Sequence, residues 1–336
     1  MKLYLENYKQ VHKWKKMAFA VREWVLRSNH SLIVPDLKFL VKHGIEVIVY
    51  HNIGVNKWSQ KFLSEYLRSK LPESVQFERI PGDQDLYAEV LKNKEHVDKL
   101  ILLERQFLIW EEGDRINTIS TAHLGSVLKD NNMHGLAIGN INFRRNLLRI
   151  CQAIESRKIH RIHILPGWKK NAIKHELFSL EWSWTLVWND FWSPDIVLAK
   201  RWEESIILWI LDSNKNNKFL KPRTKEYVHQ HIANFCIAKI DDIPVWCVEI
   251  IEIDHGAIEL WGLAVINSFL SFKIGLTLVE YVENVAKKNM KSVISLTNNP
   301  KLESLYEWRG FRKNNEQRYP DRQDRSPNVD MFILDL

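Results

Sequence analysis

The chain has few cysteines and no long apolar run. Cys151, Cys236 and Cys247 are odd in number and lack C-x-x-C spacing, which argues against a disulfide framework or a zinc site and fits a reducing compartment. No segment approaches the ~20 apolar residues of a membrane span. The N-terminus shows neither the apolar region nor the cleavage site of a secretory signal. We therefore expect a cytoplasmic protein without a membrane partner.

Long blocks of one charge sign are also absent. The 48 Lys and Arg residues exceed the 41 Asp and Glu residues by a net charge of +7, but the two signs are interspersed. Because no nucleic-acid-binding module accompanies the excess, we expect no nucleic-acid partner. The positive field would still help to attract a phosphorylated cofactor or an acidic substrate.

The remaining composition is that of a globular protein, and 336 residues are enough for two domains. In the first half, strands alternate with helices, which predicts a layered α/β domain. The elements that carry this prediction are the strands Ile45–Tyr50, Leu100–Leu103 and Ile159–Leu165 and the helices Lys57–Ser69 and Arg144–Ser156. The pattern changes near Pro194–Lys200, and we place the domain boundary after residue 198.

The second half begins with a hairpin of Ala233–Ile240 and Pro244–Ile253. A strand (Ile258–Val265), a loop and an amphipathic helix (Ile274–Asn289) follow, and then the strand Ser292–Thr297 and LYEWRGF at 305–311. This order, ending in L-Y-E-x-x-G-F, resembles the signature half of GNAT-superfamily N-acetyltransferases. The resemblance implies an α+β domain with a mixed sheet that moves an acetyl group from coenzyme A to an amine.

The loop Asn267–Gly275 precedes a helix, whose N-terminal N–H groups can bind a pyrophosphate. Gly275 permits close approach and Lys273 adds charge. Acetyltransferases of this class carry R/Q-x-x-G-x-G/A here. Leu270 stands in the Arg/Gln position and only the last glycine is kept, so an ordinary strand–loop–helix is the alternative.

Three kinds of side chain suit acetyl transfer. Glu259 can take a proton from the acceptor ammonium, and Tyr306, with Ser304 nearby, can protonate the leaving thiolate. Arg223 and Arg325 can each form bidentate bonds to a carboxylate. The alternatives are a salt-bridged Glu259, a core Tyr306 and two surface arginines.

Histidines do not indicate a metal site. His160 and His163 lie at an odd offset on one strand and point to opposite faces, and no acidic cluster supports them or His175. We expect no metal.

Four segments in order resemble bacterial-type N-acetylglutamate synthases: HELFSLEWSWT (His175–Thr185), KPRTKE (Lys221–Glu226), CVEIIEIDHGAIELWGLAV (Cys247–Val265) and the closing RSPNVDMFILDL. In that family an amino-acid-kinase-like domain precedes an acetyltransferase domain. The resemblance is good from about Arg144 onward and weak before it. It implies a three-layer kinase-like domain at residues 1–198 and an acetyltransferase domain at 199–336.

The implied reaction is direct acetyl transfer from acetyl-CoA to the α-amine of L-glutamate, which begins arginine synthesis. The family positions give Glu259 as base, Ser304 and Tyr306 on the thiolate side, and Arg223 and Arg325 on the glutamate carboxylates. The implied cofactor-binding residues are Leu263, Ala264, Val265, Lys273, Gly275 and Asn298. A homo-oligomer and an arginine effector are also implied. Two other functions stay open: acetyl transfer to another amine, and non-catalytic sensing of arginine or acetyl-CoA.

The first domain departs from its kinase relatives. VREWVLRS (Val21–Ser28) and GLAIGNI (Gly135–Ile141) stand where relatives have K-x-G-G and G-G-M-x-x-K, and Asn140 replaces the catalytic lysine. Phosphoryl transfer needs that cationic, glycine-lined cradle. We therefore predict a regulatory and assembly module without kinase activity.

Glycine is scarce and tryptophan abundant: 12 Gly against 14 Trp, where about 7% glycine would give roughly 24. Trp24, Trp182, Trp184 and Trp246 fall where the family has glycine. We hypothesise that the gene reads UGA as glycine and that tryptophan was written in its place. Genuine aromatic substitution is the alternative, and UGG codons at positions 182 and 184 would refute recoding.

Overall fold

The computed structural model describes residues 12–92, 97–105, 108, 116, 118–129, 141–156, 159, 161–178, 185–189, 195–214, 220–240, 243–253, 256–266, 274–288, 292–314, 318–319 and 329–336. The chain divides into two compact units, Met1–Trp192 and Ser193–Leu336. The division falls before the boundary predicted after residue 198, because the strand Asp195–Leu198 pairs with Phe235–Ile240 of the second unit.

The first unit contains a mixed seven-stranded sheet of order β3-β2-β1-β4-β6-β7-β5 in which only β6 and β7 run antiparallel. Its strands are β1 (Lys16–Val21), β2 (Glu46–His51), β3 (Gln76–Arg79), β4 (Lys99–Glu104), β5 (Thr118–Ser120), β6 (Arg161–Pro166) and β7 (Thr185–Trp188). Its α-helices are α1 (Glu23–Lys42), α2 (Lys57–Phe62), α3 (Leu86–Lys92), α4 (Thr121–Lys129), α5 (Ile141–Glu155) and α6 (Ala172–Phe178). A π-turn (Leu63–Leu67) and a 3₁₀ turn (Arg68–Lys70) continue α2.

Both faces of this sheet are covered. Ala18 and Ala20 belong to one core with apolar residues of α3, α4 and α5. The alternate residues Met17 and Phe19 are also fully buried. On that second side, α1 and α6 are joined by Asp36, whose carboxylate accepts the backbone N–H of Ile173 at 3.1 Å. Successive side chains of a strand point to opposite faces of the sheet, so a strand that is buried on both faces requires a layer on each side. The predicted three-layer α/β arrangement is confirmed.

Helix α1 is longer than predicted. The sequence suggested a helix over Pro35–Val41 with the proline in its first turn, whereas the helix runs from Glu23 to Lys42 with Pro35 inside it. An apolar stripe that includes Val25, Ile33 and Leu37 holds the helix against the sheet, and burial of such a stripe outweighs the hydrogen bond lost at one proline. VREWVLRS is therefore mostly helix.

The second unit contains another mixed seven-stranded sheet, of order β13-β14-β12-β11-β10-β9-β8. The strands are β8 (Asp195–Leu198), β9 (Phe235–Ile240), β10 (Ile243–Ile253), β11 (Ala257–Val265), β12 (Ser292–Thr297), β13 (Arg312–Lys313) and β14 (Asp330–Leu334), and the α-helices are α7 (Glu204–Ser213), α8 (Lys225–His231), α9 (Ile274–Lys288) and α10 (Pro300–Trp308). Only β11 and β12 are parallel, and α9 connects them. The predicted mixed sheet is confirmed.

The described part of the chain has no helix that is both long and apolar enough to cross a membrane. The three cysteines are buried and unbonded. Burial raises the pKa of the Cys236 thiol to about 11 and that of Cys151 to about 12, so these side chains behave as small apolar residues.

At Trp14 the backbone adopts a conformation that favours glycine. Its φ is +67° and its side chain is 76% exposed. Trp24 lies in α1, and Trp246 is fully buried in β10 with an indole N–H that has no hydrogen-bond partner. Trp182 and Trp184 lie outside the described residues. A left-handed φ and an unsatisfied buried donor each cost free energy, so these two sites agree with the recoding hypothesis.

We expect Trp14→Gly to stabilise the protein by about 0.5–1 kcal/mol, because glycine removes the left-handed strain but adds freedom to the unfolded chain. Trp58 is the matched control: it is 77% exposed and lies in α2, so Trp58→Gly should destabilise by about 0.5 kcal/mol. Thermal unfolding followed by circular dichroism measures both. A loss of stability in Trp14→Gly would contradict the interpretation.

Candidate active site

Strands β11 and β12 separate part of the way along their length. They pair only where Ala257–Glu259 faces Ser292–Ile294. Beyond that point β11 continues to Val265 beside β10, and β12 continues to Thr297 beside β14. The main-chain N–H and C=O groups on the facing edges then lack a strand partner, and they can pair with a ligand inserted between the strands.

A β-bulge accompanies the separation. Cys247 pairs with Ala264 and Glu249 pairs with Trp261, so the two residues between them on β11 face a single residue on β10. One of the two is Gly262, with a φ of +63°. A bulge bends its strand, and glycine adopts this φ without a steric cost. The bulge therefore supplies a physical reason for β11 to turn away from β12.

A cavity of about 560 Å³ lies in this gap. Five of the predicted site residues line it: Arg223, Glu259, Leu263, Asn298 and Tyr306. Ala264, which is buried, and Val265, which is half-buried, lie on the same stretch of β11 but do not line the cavity. The carboxylate, the phenol and one guanidinium thus share a single cavity.

Tyr306 points inward from α10. Its hydroxyl lies 3.0 Å from the Ser295 hydroxyl, which is 3.2 Å from the carbonyl oxygen of Leu260. Burial raises the pKa of Tyr306 to about 12, so the phenol carries its proton at neutral pH. Helix α10 is fixed at its start by Asn299, whose side chain accepts the N–H of Lys301, and by Pro300 in its first turn.

Ser304 lies on a different face of the same helix. It is exposed, its hydroxyl donates to the carbonyl of Pro300 at 3.0 Å, and it does not line the cavity. Ser295 of β12, which the sequence reasoning missed, is the serine in contact with Tyr306.

Arg223 forms one wall of the cavity. Its guanidinium carbon lies 3.7 Å from the centre of the Trp261 ring, and its Nε is 3.8 Å from a carboxylate oxygen of Glu249. The Tyr227 hydroxyl donates to the other oxygen of Glu249 at 2.8 Å. Sequence reasoning missed these neighbours, although a glutamate within the apolar strand Cys247–Ile251 was a signal that a buried partner existed.

The expected pyrophosphate loop is only partly described. Gly275 is the second residue of α9 and is half-buried, and a side chain there would meet no neighbouring atom within 4 Å. Lys273, Leu270 and Arg325 lie outside the described residues, so their predicted roles stay predictions.

His163 pairs with a carboxylate of the first unit. His163 Nδ1 lies 2.5 Å from the buried carboxylate of Glu176, which also faces Lys99 at 3.8 Å. His160 lies outside the described residues. Among the side chains that are described, no three His, Cys, Asp or Glu residues form a group able to hold a metal ion.

Two oppositely charged side chains are in contact at the carboxyl ends of β1 and β4 in the first unit. In an open α/β sheet, ligands bind at the carboxyl ends of strands where the strand order reverses, which here is between β1 and β4. Arg22 follows β1 there and its Nε lies 3.8 Å from the carboxylate of Glu104 at the end of β4. Tyr87 donates a hydrogen bond to that carboxylate, and burial raises the pKa of Glu104. Val21–Ser28 thus contributes Arg22 to an ion pair where the resemblance placed the glycines of kinase relatives.

Residues 187–311 match the Acetyltransferase (GNAT) family. The second unit, with its parted parallel strands, is therefore a GNAT acetyltransferase domain, and the protein is an acyltransferase. No curated protein matches the chain in sequence.

Solved structures extend the likeness to the whole chain. N-acetylglutamate synthase from Neisseria gonorrhoeae complexed with coenzyme A and L-arginine aligns with a TM-score of 0.57 at 14% identity, over 99% of this chain and 98% of that chain. The synthase from the same organism complexed with coenzyme A and N-acetyl-glutamate aligns with a TM-score of 0.47 at 14% identity, over 98% and 97%. The chain thus has the fold of N-acetylglutamate synthase, and the predicted resemblance is confirmed at the level of the fold.

We expect Tyr306→Phe to lower kcat about 10- to 100-fold, because it removes the proton donor facing the cavity, and to change the KM for acetyl-CoA little. Ser304→Ala, on the same helix, is the control and should leave kcat within twofold. Steady-state kinetics of acetyl-CoA consumption measures both. A large effect of Ser304→Ala with none of Tyr306→Phe would reverse the assignment.

Proposed function

We propose that the protein is an N-acetylglutamate synthase that transfers the acetyl group of acetyl-CoA to the α-amine of L-glutamate. The observation that carries the proposal is the gap between β11 and β12, which brings Glu259, Tyr306 and Arg223 to one cavity. The full-length likeness to a synthase fold supports the choice of acceptor.

The residues present fit acetyl-CoA. The edge of Leu260–Val265 that faces β12 has no strand partner, and it offers main-chain groups to the amides of the pantetheine arm, as a neighbouring strand would. The N-terminus of α9, with Gly275, suits the pyrophosphate. The predicted role of Lys273 in adding charge rests on the sequence. Asn298 lies across the gap and supplies a side-chain amide to the cavity.

The reaction needs a base, an acid and correct placement of the acceptor. Glu259 accepts a proton from the acceptor ammonium, directly or through water, and the resulting amine attacks the thioester carbonyl carbon. The C–S bond of the tetrahedral species then breaks and the thiolate receives the proton of Tyr306. The nitrogen gives up its second proton to solvent, and solvent returns a proton to the phenolate. Arg223 and Arg325 bind the two carboxylates of glutamate.

Two other functions are distinguished from this one by the test described below. Acetyl transfer to a different amine keeps the same donor and base but changes the acceptor. A sensor that binds arginine or acetyl-CoA without turnover would explain Leu270 in the pyrophosphate loop. The joint presence of Glu259 and Tyr306 in one cavity favours an enzyme over a sensor.

Release of the free thiol of coenzyme A, measured against a panel of amino acids, tests the proposal. We expect release with L-glutamate, and we expect Glu259→Gln to reduce kcat at least about 100-fold because it removes the base. Glu252→Gln is the matched control, since Glu252 is exposed on the adjacent strand β10. Release with another amino acid alone would change the acceptor, and acetyl-CoA binding without release would indicate a sensor.

The first domain is proposed to regulate the second and to assemble the protein as a homo-oligomer. A structural neighbour was crystallised with L-arginine, and we expect arginine to change the rate of thiol release by the full chain. Thiol release at rising arginine concentrations measures this, with lysine as a control cation of similar size. A rate that responds equally to both amino acids would contradict a specific effector site.

A further inference from the structure

Glu249 is a buried carboxylate beside the cavity. It lies on β10, is fully buried, and faces Trp261 across the ladder to β11. One oxygen accepts the Tyr227 hydroxyl at 2.8 Å, while the other accepts no hydrogen bond and lies 3.8 Å from the Arg223 Nε. Burial raises the pKa of Glu249 and lowers that of Arg223. Burying such a pair costs free energy, which is offset only where the geometry is good and the remaining polar atoms are hydrogen-bonded.

The guanidinium of Arg223 is fixed on several sides. Its central carbon lies 3.7 Å from the centre of the Trp261 ring, Glu249 faces its Nε, and one terminal nitrogen donates to the carbonyl of Lys221 at 3.1 Å. Only 7% of the side chain is exposed. These contacts determine which edge of the guanidinium turns to the cavity that Arg223 lines.

We propose that Glu249 is a positioning residue for the acceptor: together with Tyr227 it locks Arg223 against Trp261, so that the guanidinium meets the acceptor carboxylate in one orientation. The inference rests on the proposed function for the identity of the acceptor, L-glutamate. It does not depend on Glu249 touching substrate, since Glu249 acts through Arg223.

The physical reason is preorganisation. An arginine held in its binding conformation loses less side-chain freedom when a carboxylate arrives, and that loss is otherwise subtracted from affinity. A guanidinium can face Glu249 through Nε while its terminal nitrogens face a ligand, whereas the N–H donors of lysine all lie on one nitrogen and form no rigid fork. The buried carboxylate therefore favours arginine over lysine at position 223.

The test compares Glu249→Gln with wild type. The amide keeps the shape and can still accept from Tyr227, but it no longer attracts Arg223. We expect the KM and the equilibrium Kd for L-glutamate to rise about five- to tenfold, with kcat and the KM for acetyl-CoA changed less than twofold. Tyr227→Phe should raise the KM for glutamate by a smaller factor.

Two further variants separate positioning from general damage. Glu204→Gln disturbs another buried glutamate that contacts α8, through His229 at 2.8 Å, and should leave every constant unchanged. In an Arg223→Ala background, Glu249→Gln should add no further rise in KM or Kd, because a residue that acts only through Arg223 has nothing left to position.

The readouts keep the two proposals distinct. If wild type binds glutamate calorimetrically but does not acetylate it, the proposed function fails and the Kd ratio alone decides the role of Glu249. An unchanged or lower glutamate KM and Kd in Glu249→Gln overturns that role, as does an undiminished effect in the Arg223→Ala background. A wild-type protein that binds no amino-acid carboxylate overturns it as well.

Discussion

The parting of β11 from β12 is the constraint on which the site depends. Three residue pairs hold the strands together, and the ladder then stops. The bulge at Gly262 turns β11 aside, while β12 remains joined to β14 by five consecutive pairs. A continuous ladder would satisfy the same main-chain groups internally and leave no space between the strands. The sheet thus gives up part of its hydrogen bonding to form the cavity.

Several contacts hold the two sides of the gap in place. Ser295 bridges the gap at its narrow end, between the carbonyl of Leu260 and the hydroxyl of Tyr306. The far end of α10 is tied to α9 by Arg309, which binds the carboxylate of Glu283 through two nitrogens and that of Glu280 through a third. Because the guanidinium binds through several nitrogens, it restricts both the rotation of α10 relative to α9 and the separation of the two helices. The position of the phenol in the cavity therefore depends on both helices.

Sequence patterns predicted the strands well, because runs such as Ile45–Tyr50 are rich in β-branched residues and bounded by turn signals. The start of α1 is not predictable from its proline. Proline favours the first turn of a helix, but burial of the apolar stripe keeps Pro35 inside a longer helix. Ser304 and Tyr306 are two positions apart, which places them on different faces of a helix, so the sequence could have separated them. Glu249 and Ser295 were not predictable as neighbours of Arg223 and Tyr306, since both contacts depend on how strands pair around a bulge and a gap.

The first unit shows how a sheet can keep its architecture while its strand ends change. Glu104 and Glu23 place carboxylates where phosphates would approach, at the ends of β4 and β1. Glu23 is held there by the N–H of Gly54 at 2.9 Å and by Arg27. Anionic groups at a strand end repel the phosphates of a nucleotide. Arg22, which could otherwise attract a phosphate, is paired with Glu104. Both faces of the sheet are covered, so these charges at its strand ends are compatible with an intact core.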